Sequence, residues 1–276
     1  MPSILIWTPE SDYDSKAVRC IAEKIIAFYG SDIKIKEGSK TAYNQAFQKK
    51  PEDGLQKQVN IYLKTNDLVI FLIDYDGIQS YTQRGKEPNS FVNRITKVVN
   101  STDRAVLIYI KQELESWLLV DCLGICCYFN EKVNKKDKNT RNKQDWIKFA
   151  KRNQHGNTDL IVEADNQSKG AKEYLEALSD KINCEINPKL EQKRQNLREK
   201  CYRERDSPEV AKYIEINQQT LARNESLKEF AKYLLITGIR LTWLNLLNGE
   251  AFENHSKIKF QSILSISEKL SLGINR

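Results

Sequence analysis

From Asp67 to Gly77 the chain reads Asp-Leu-Val-Ile-Phe-Leu-Ile-Asp-Tyr-Asp-Gly, with an unbroken apolar stretch from Val69 to Ile73 before two carboxylates. Apolar side chains on both faces suit a strand buried between two helix layers, and Gly77 permits a sharp exit. The segments before it repeat the theme. Ser3 to Trp7 predicts a short apolar strand, and Ala17, Val18, Ile21, Ala22, Ile25 and Ile26 then recur at helical spacing until Gly30 stops the helix. Asp32 to Lys36 alternates weakly, as an edge strand does, and Gln56 to Lys64 predicts a helix. After the central strand come a polar loop to about Pro88, a helix from Ser90 to Val99, an apolar strand from Asp103 to Ile110, and an apolar helix from Glu113 to Tyr128. Strands and helices in this alternation predict an α/β fold with a parallel or mixed sheet and right-handed crossovers.

The second half has a different pattern. Residues 131–145 are polar almost throughout and predict a solvated loop or hinge. Beyond the apolar patch Leu160-Ile-Val162, helices are predicted over 170–182, 190–203, 209–216 and 226–248. The last is the most apolar, with Leu234, Leu235, Ile236, Ile239, Leu241, Trp243, Leu244, Leu246 and Leu247 on all its sides. Something must therefore cover it beyond the sheet layer: either residues 250–276 folding back, or a second copy or partner protein. The division is an α/β domain over 1–130 and a loop and helical region over 131–276 packing on it.

Composition narrows the picture modestly. The chain holds 44 Lys+Arg against 37 Asp+Glu, a net charge of +7 that reads as mixed-sign segments spread along the chain. Such a balance favours a polyanionic partner only weakly. Six cysteines form no Cys-x-x-Cys pair and His155 and His255 are remote from them, which argues against zinc. Cys122, Cys126 and Cys127 sit in an apolar stretch where thiols act as small hydrophobes. With no leader-like start and no apolar run of ~18 residues, the expectation is a cytoplasmic protein with reduced thiols and no membrane contact.

The candidate chemistry lies in the acids. Glu10 follows the first strand, Asp74 and Asp76 the central one, and Glu113 and Glu115 the strand ending at Ile110. If those strands are neighbours, five carboxylates meet at one sheet edge, where open α/β sheets bind ligands. Uncompensated they repel, and a divalent cation such as Mg²⁺ prefers such hard oxygens. Each cluster also has a plainer reading: Asp and Gly are turn residues, and Glu113 and Glu115 suit the first turn of a helix.

Glutamate in the turn after the first strand, followed by a strand ending in Asp74-Tyr75-Asp76, resembles the Toprim (topoisomerase-primase) domain. The segment Gln112-Glu-Leu-Glu-Ser-Trp-Leu-Leu-Val-Asp121 is similar to one in small Toprim-like proteins of unknown function, relatives of the OLD (overcoming lysogenisation defect) nucleases of ATPase-linked defence systems. Ser168 to Lys172, Lys200 to Arg203 and Pro208 to Ile214 extend the similarity over roughly residues 3–235. One departure is Ser11, where the family has Gly, an exchange that fits if this residue keeps φ negative. Asp14 stands where the family often has a second acid, and is read here mainly as a helix-dipole partner.

The resemblance implies metal-dependent hydrolysis of nucleic-acid phosphodiesters, DNA foremost, in antiviral defence, with Mg²⁺ or Mn²⁺ as cofactor. Asp74 and Asp76 would bind metal, Glu113 and Glu115 would complete the shell, and Glu10 would be a ligand or the general base. Lys169, Lys172, Arg203 and Arg205 are candidates for phosphate contacts, although each singly reads as a solvated helix residue. The competing implication is a non-catalytic sensor or regulatory subunit that partners an ATPase, and self-association is a further expectation. No Gly-x-x-x-x-Gly-Lys-Ser/Thr loop supports a nucleotide-binding alternative.

Overall fold

The computed structural model describes residues 1–9, 11–48, 54–75, 86, 90–133, 140–161, 170–186 and 201–247, with only the backbone for 47, 48 and 237–247. Glu10, Asp76, Lys169, the predicted helix over 190–203 except its last residues, and the segment 250–276 invoked to cover the last helix lie outside this set.

Four strands form one parallel sheet in the order β2-β1-β3-β4. They are β1 (Ser3–Trp7), β2 (Lys34–Glu37), β3 (Leu68–Tyr75) and β4 (Ala105–Lys111). β1 pairs with β2 on one side and β3 on the other, and β4 extends the sheet with Asp74 opposite Ile110. A parallel order requires that every strand end at the same edge. Because the chain leaves β1 toward β2 and later returns to β3 on the opposite side, the order reverses between β1 and β3, and the carboxyl edge opens there into a crevice.

Helix α1 (Asp12–Tyr29) starts at Ser11, whose side chain accepts hydrogen bonds from the backbone N–H of Tyr13 and Asp14, and stops at Gly30 with φ 65°. Ser11 itself has φ −148°, the negative φ expected for it, so it occupies ordinary extended backbone and serves as an N-cap. α2 (Lys40–Gln48), which the sequence pattern does not announce, α3 (Gly54–Tyr62) and α4 (Phe91–Asn100) follow in the first half. The predicted continuous helix over 113–128 is instead two, α5 (Leu114–Leu118) and α6 (Cys122–Val133). Asp121 breaks it: its carboxylate accepts from the Gly124 N–H to begin α6 and from Arg141 and the Glu215 N–H. A Cβ on Gly124 would stand 2.5 Å from the Tyr213 carbonyl, so only glycine admits this close crossing.

The polar segment predicted as a loop or hinge over 131–145 gives way to a 3₁₀ turn at Thr140–Asn142 and to α7 (Gln144–Asn153), which buries Trp146, Phe149 and Ala150. The spacing of these three is helical, but their apolar content is too sparse for the pattern to announce a helix. α8 (Ala171–Ile186), α9 (Ser207–Tyr213), α10 (Gln218–Leu221) and α11 (Glu225–Leu247) follow among the described residues.

Two apolar cores lie on the two faces of the sheet. Ile4, Ile6, Ile70 and Leu72 face α1 and the whole helical region, forming the larger core. Leu5, Trp7, Val69, Phe71 and Ile73 face α2, α3 and α4. The alternation along β3 is what a strand covered on both faces requires, and it reproduces the apolar run in the sequence. No described helix is long and apolar enough to cross a membrane.

Candidate functional site at the carboxyl edge of the sheet

β1 ends at Trp7, β3 at Tyr75 and β4 at Lys111, so the segments carrying the first, second and third acid clusters leave the sheet at the same edge. Asp74 is half-buried in register with Ile110. Alternation from Ile70 and Leu72 puts it on the face of the larger core. After β4 the chain turns sharply: Gln112 has φ 68° and bridges back to Tyr75. Left-handed backbone at a residue other than glycine costs on the order of 1 kcal/mol and persists where surrounding contacts fix it. This turn sets Gln112 against Tyr75 at the end of β3, with Glu113 and the short helix α5 following directly.

The two glutamates of the third cluster have distinct surroundings. Glu113 Oε2 accepts a 2.9 Å hydrogen bond from the backbone N–H of Lys172, so this carboxylate caps the start of α8. Glu115 is 6% exposed, and its Oε1 accepts a 2.8 Å bond from the Tyr202 hydroxyl. Burial pushes the Glu115 carboxyl up, with the Tyr202 bond and the Lys172 charge partly offsetting it. Tyr202 is itself raised well above the usual phenol range by burial and then by Glu115, with Asp14 adding to the field. Burial alone would lower the Lys172 ammonium, yet Glu115, Glu204 and Glu113 hold it above its ordinary value. Its Nζ lies 3.7 Å from Glu204.

The mutual repulsion of Glu113 and Glu115, which the sequence argument assigned to a cation for relief, is thus eased by Lys172 and the α8 N-terminus. Among the described residues no three His, Cys, Asp or Glu side chains converge so as to hold a metal ion. Asp74 and Glu113 share the edge, and Glu115 is turned inward. Of the basic candidates, Lys172 is among the acids, Arg203 bonds through its backbone N–H to Asp206, and Arg205 is exposed in the 3₁₀ turn Glu204–Asp206.

Ser15 hydrogen-bonds to Thr8, the residue after β1, and thereby ties α1 to the turn that carries Glu10. Tyr202, 87 residues from its glutamate, is the site neighbour that sequence reasoning quoted without assigning a role; no local spacing links the two. The third cluster is also anchored from behind. Trp117 Nε1 donates to Ser226 Oγ at 2.9 Å and stacks on Phe230, while Asn224 joins Ser116, Ser226 and Thr158.

Comparison with protein-family models, with curated proteins and with solved structures finds no match to this chain. The fold and edge by themselves define an open parallel α/β protein with acidic residues at its topological switch point.

Proposed function

We propose that this edge is the site of a Toprim-like metal-dependent nuclease, or nuclease-like subunit, that hydrolyses phosphodiesters of nucleic acid, DNA foremost. The observation that carries the reading is the shared edge: parallel strands bring Asp74, at the end of β3, and Glu113, two residues past the end of β4, to the same edge, beside the turn that follows β1. Asp74 and Glu113 offer the hard oxygens that Mg²⁺ or Mn²⁺ prefers, and Glu10 and Asp76 are the acids the resemblance adds. Such a metal would supply charge stabilisation at the transferred phosphoryl group and a more acidic bound water. The chain's own residues shape the place for it. The Lys172 amide at the start of α8 holds Glu113, and Tyr202 with Glu115 forms a buried hydrogen-bonded pair two residues along the chain. A cytoplasmic role in antiviral defence beside an ATPase partner belongs to the same reading.

The test is nicking of supercoiled plasmid by the full chain with Mg²⁺ or Mn²⁺ against EDTA. Cleavage that needs metal and is lost in Asp74→Ala, with an unchanged melting temperature, is expected. Equal cleavage by wild type and variant, or none with either metal, would overturn the reading. A second reading, a sensor or regulatory subunit without cleavage, is favoured by the engagement of Glu113 and Glu115 with Lys172 and Tyr202. It predicts that Mg²⁺ raises the melting temperature while the plasmid stays intact.

A further inference from the structure

The basic excess, read above as spread along the chain, is in fact concentrated in one segment. Residues 132–152 hold nine Lys or Arg against Asp137 and Asp145, a net +7 equal to that of the entire chain, while the other 255 residues hold 35 charges of each sign. The described part of this segment includes α7, an amphipathic helix whose inner face is Trp146, Phe149 and Ala150 and whose outer face presents Lys148, Lys151 and Arg152, all exposed. These three line a groove of about 370 Å³ together with Asp145 and with Glu185 from α8. Among the described residues, no salt bridge engages any of the three cations, whereas Arg141 is paired to Asp121 and Glu215, and Lys132 to Asp206. The three cations outnumber the two carboxylates of the groove, Asp145 and Glu185, and sit in the segment that carries the chain's net positive charge, so a polyanion is favoured there.

The groove also points somewhere. α7 and α8 run alongside each other: the Tyr174 hydroxyl near the start of α8 donates to the Asn153 carbonyl at the end of α7, and Glu185 near the end of α8 lines the groove with Asp145 and Lys148. The start of α8 is the amide held by Glu113. At 1.5 Å per residue, the run along α8 from that carboxylate to Glu185 is roughly 20 Å, or about six phosphates of one duplex strand at 3.4 Å each.

We infer that the α7–α8 groove, with Lys148, Lys151 and Arg152, is the track on which a nucleic-acid backbone is held as it leads to the carboxylate edge. Phosphate binding thereby moves from Lys172, which serves the acids, to residues of α7. The choice of nucleic acid over other polyanions rests on the proposed nuclease reading.

The test is binding of a fluorescein-labelled DNA duplex, and of a single strand, to the full chain in EDTA, followed by anisotropy between about 50 and 200 mM salt. The combined variant Lys148→Gln, Lys151→Gln, Arg152→Gln is expected to bind at least about tenfold more weakly, with the slope of log K against log salt shallower by about 2–3. Lys34→Gln, Lys57→Gln, Lys64→Gln, which removes the same charge near the opposite edge of the sheet, is expected to bind almost as wild type. Circular dichroism and melting of the α7 variant should match wild type, because the three side chains are exposed. Equal weakening by both triple variants, no weakening by the α7 variant, or no binding by wild type would overturn the inference. Loss in the α7 variant of binding to phosphatidylserine vesicles, with DNA binding retained, would overturn it in favour of a membrane surface. DNA binding that depends on α7 without cleavage under any metal would sink the nuclease reading and leave the groove standing.

Discussion

The two faces of the sheet are held by different physics. On the face covered by α2, α3 and α4, Trp7 packs edge-on to Tyr43 and Tyr62 and stacks on Phe71, with one hydrogen bond from its indole to the Ser39 carbonyl. The other face buries a larger apolar core and threads it with polar pairs: Asp121 with Arg141, Glu115 with Tyr202, Trp117 with Ser226. Apolar fit is tolerant of small rearrangement, whereas a buried polar group is costly unless its one partner is in place. The face that must fix a helical layer in one register, and with it the acids at the edge, is the one that uses polar pairs. That use is a hypothesis about specificity, and the following substitutions probe it.

The largest effect belongs to the aromatic face. Trp7→Ala should cost about 3–5 kcal/mol in denaturant unfolding, because the ring is fully buried and its cavity is walled by other rings. A loss under about 1 kcal/mol would mean that this face is loosely packed and the comparison is wrong. Asp121→Ala should cost about 2–3 kcal/mol, since it strands the Gly124 and Glu215 amides and one edge of a half-exposed Arg141. Its mark is distinctive: chymotrypsin should cut the helical region earlier than the sheet, whereas Trp7→Ala should open both together.

Tyr202→Phe comes next, at about 1–2 kcal/mol, because it removes the bond to a buried carboxyl without changing shape. Glu115 adds a pH signature. Its carboxyl is raised in the fold by burial, so the folded state holds the proton more tightly than the unfolded one. The stabilisation is fully present below the unfolded value near 4.5 and declines as pH rises from there through the folded value. The stability of Glu115→Gln relative to wild type should therefore grow over that window in urea titrations; a difference independent of pH would show that Glu115 is as ionised in the fold as outside it. The smallest effect is at Ser11. Ser11→Ala should cost about 1 kcal/mol and Ser11→Gly only a few tenths, measured by thermal melting, because the serine acts as an N-cap in extended backbone.

Much of the sheet was legible in the chain. Ser3–Trp7 and the apolar run ending at Asp74 are strands because apolar residues on both faces leave no solvated alternative, and Gly30 ends α1 where the pattern stops. α2 and α7 were not legible: α2 buries few side chains, and α7 rests on three apolar residues within a charged stretch. Of the site, the arrival of Asp74 and Glu113 at one edge follows from strand ends and a parallel order. Their surroundings do not.

The sequence by itself determined the four strands, most of the longer helices and where Asp74 and Glu113 leave the sheet, since these depend on neighbours a few residues apart. Only the tertiary structure decided that Glu115 turns inward to Tyr202, that Lys172 stands among the acids and that Lys148, Lys151 and Arg152 face a groove shared with α8. The reason is physical: a buried carboxyl is governed by the one partner that reaches it. Tyr202 lies 87 residues away and is brought there by packing over the whole larger core, which no local pattern records.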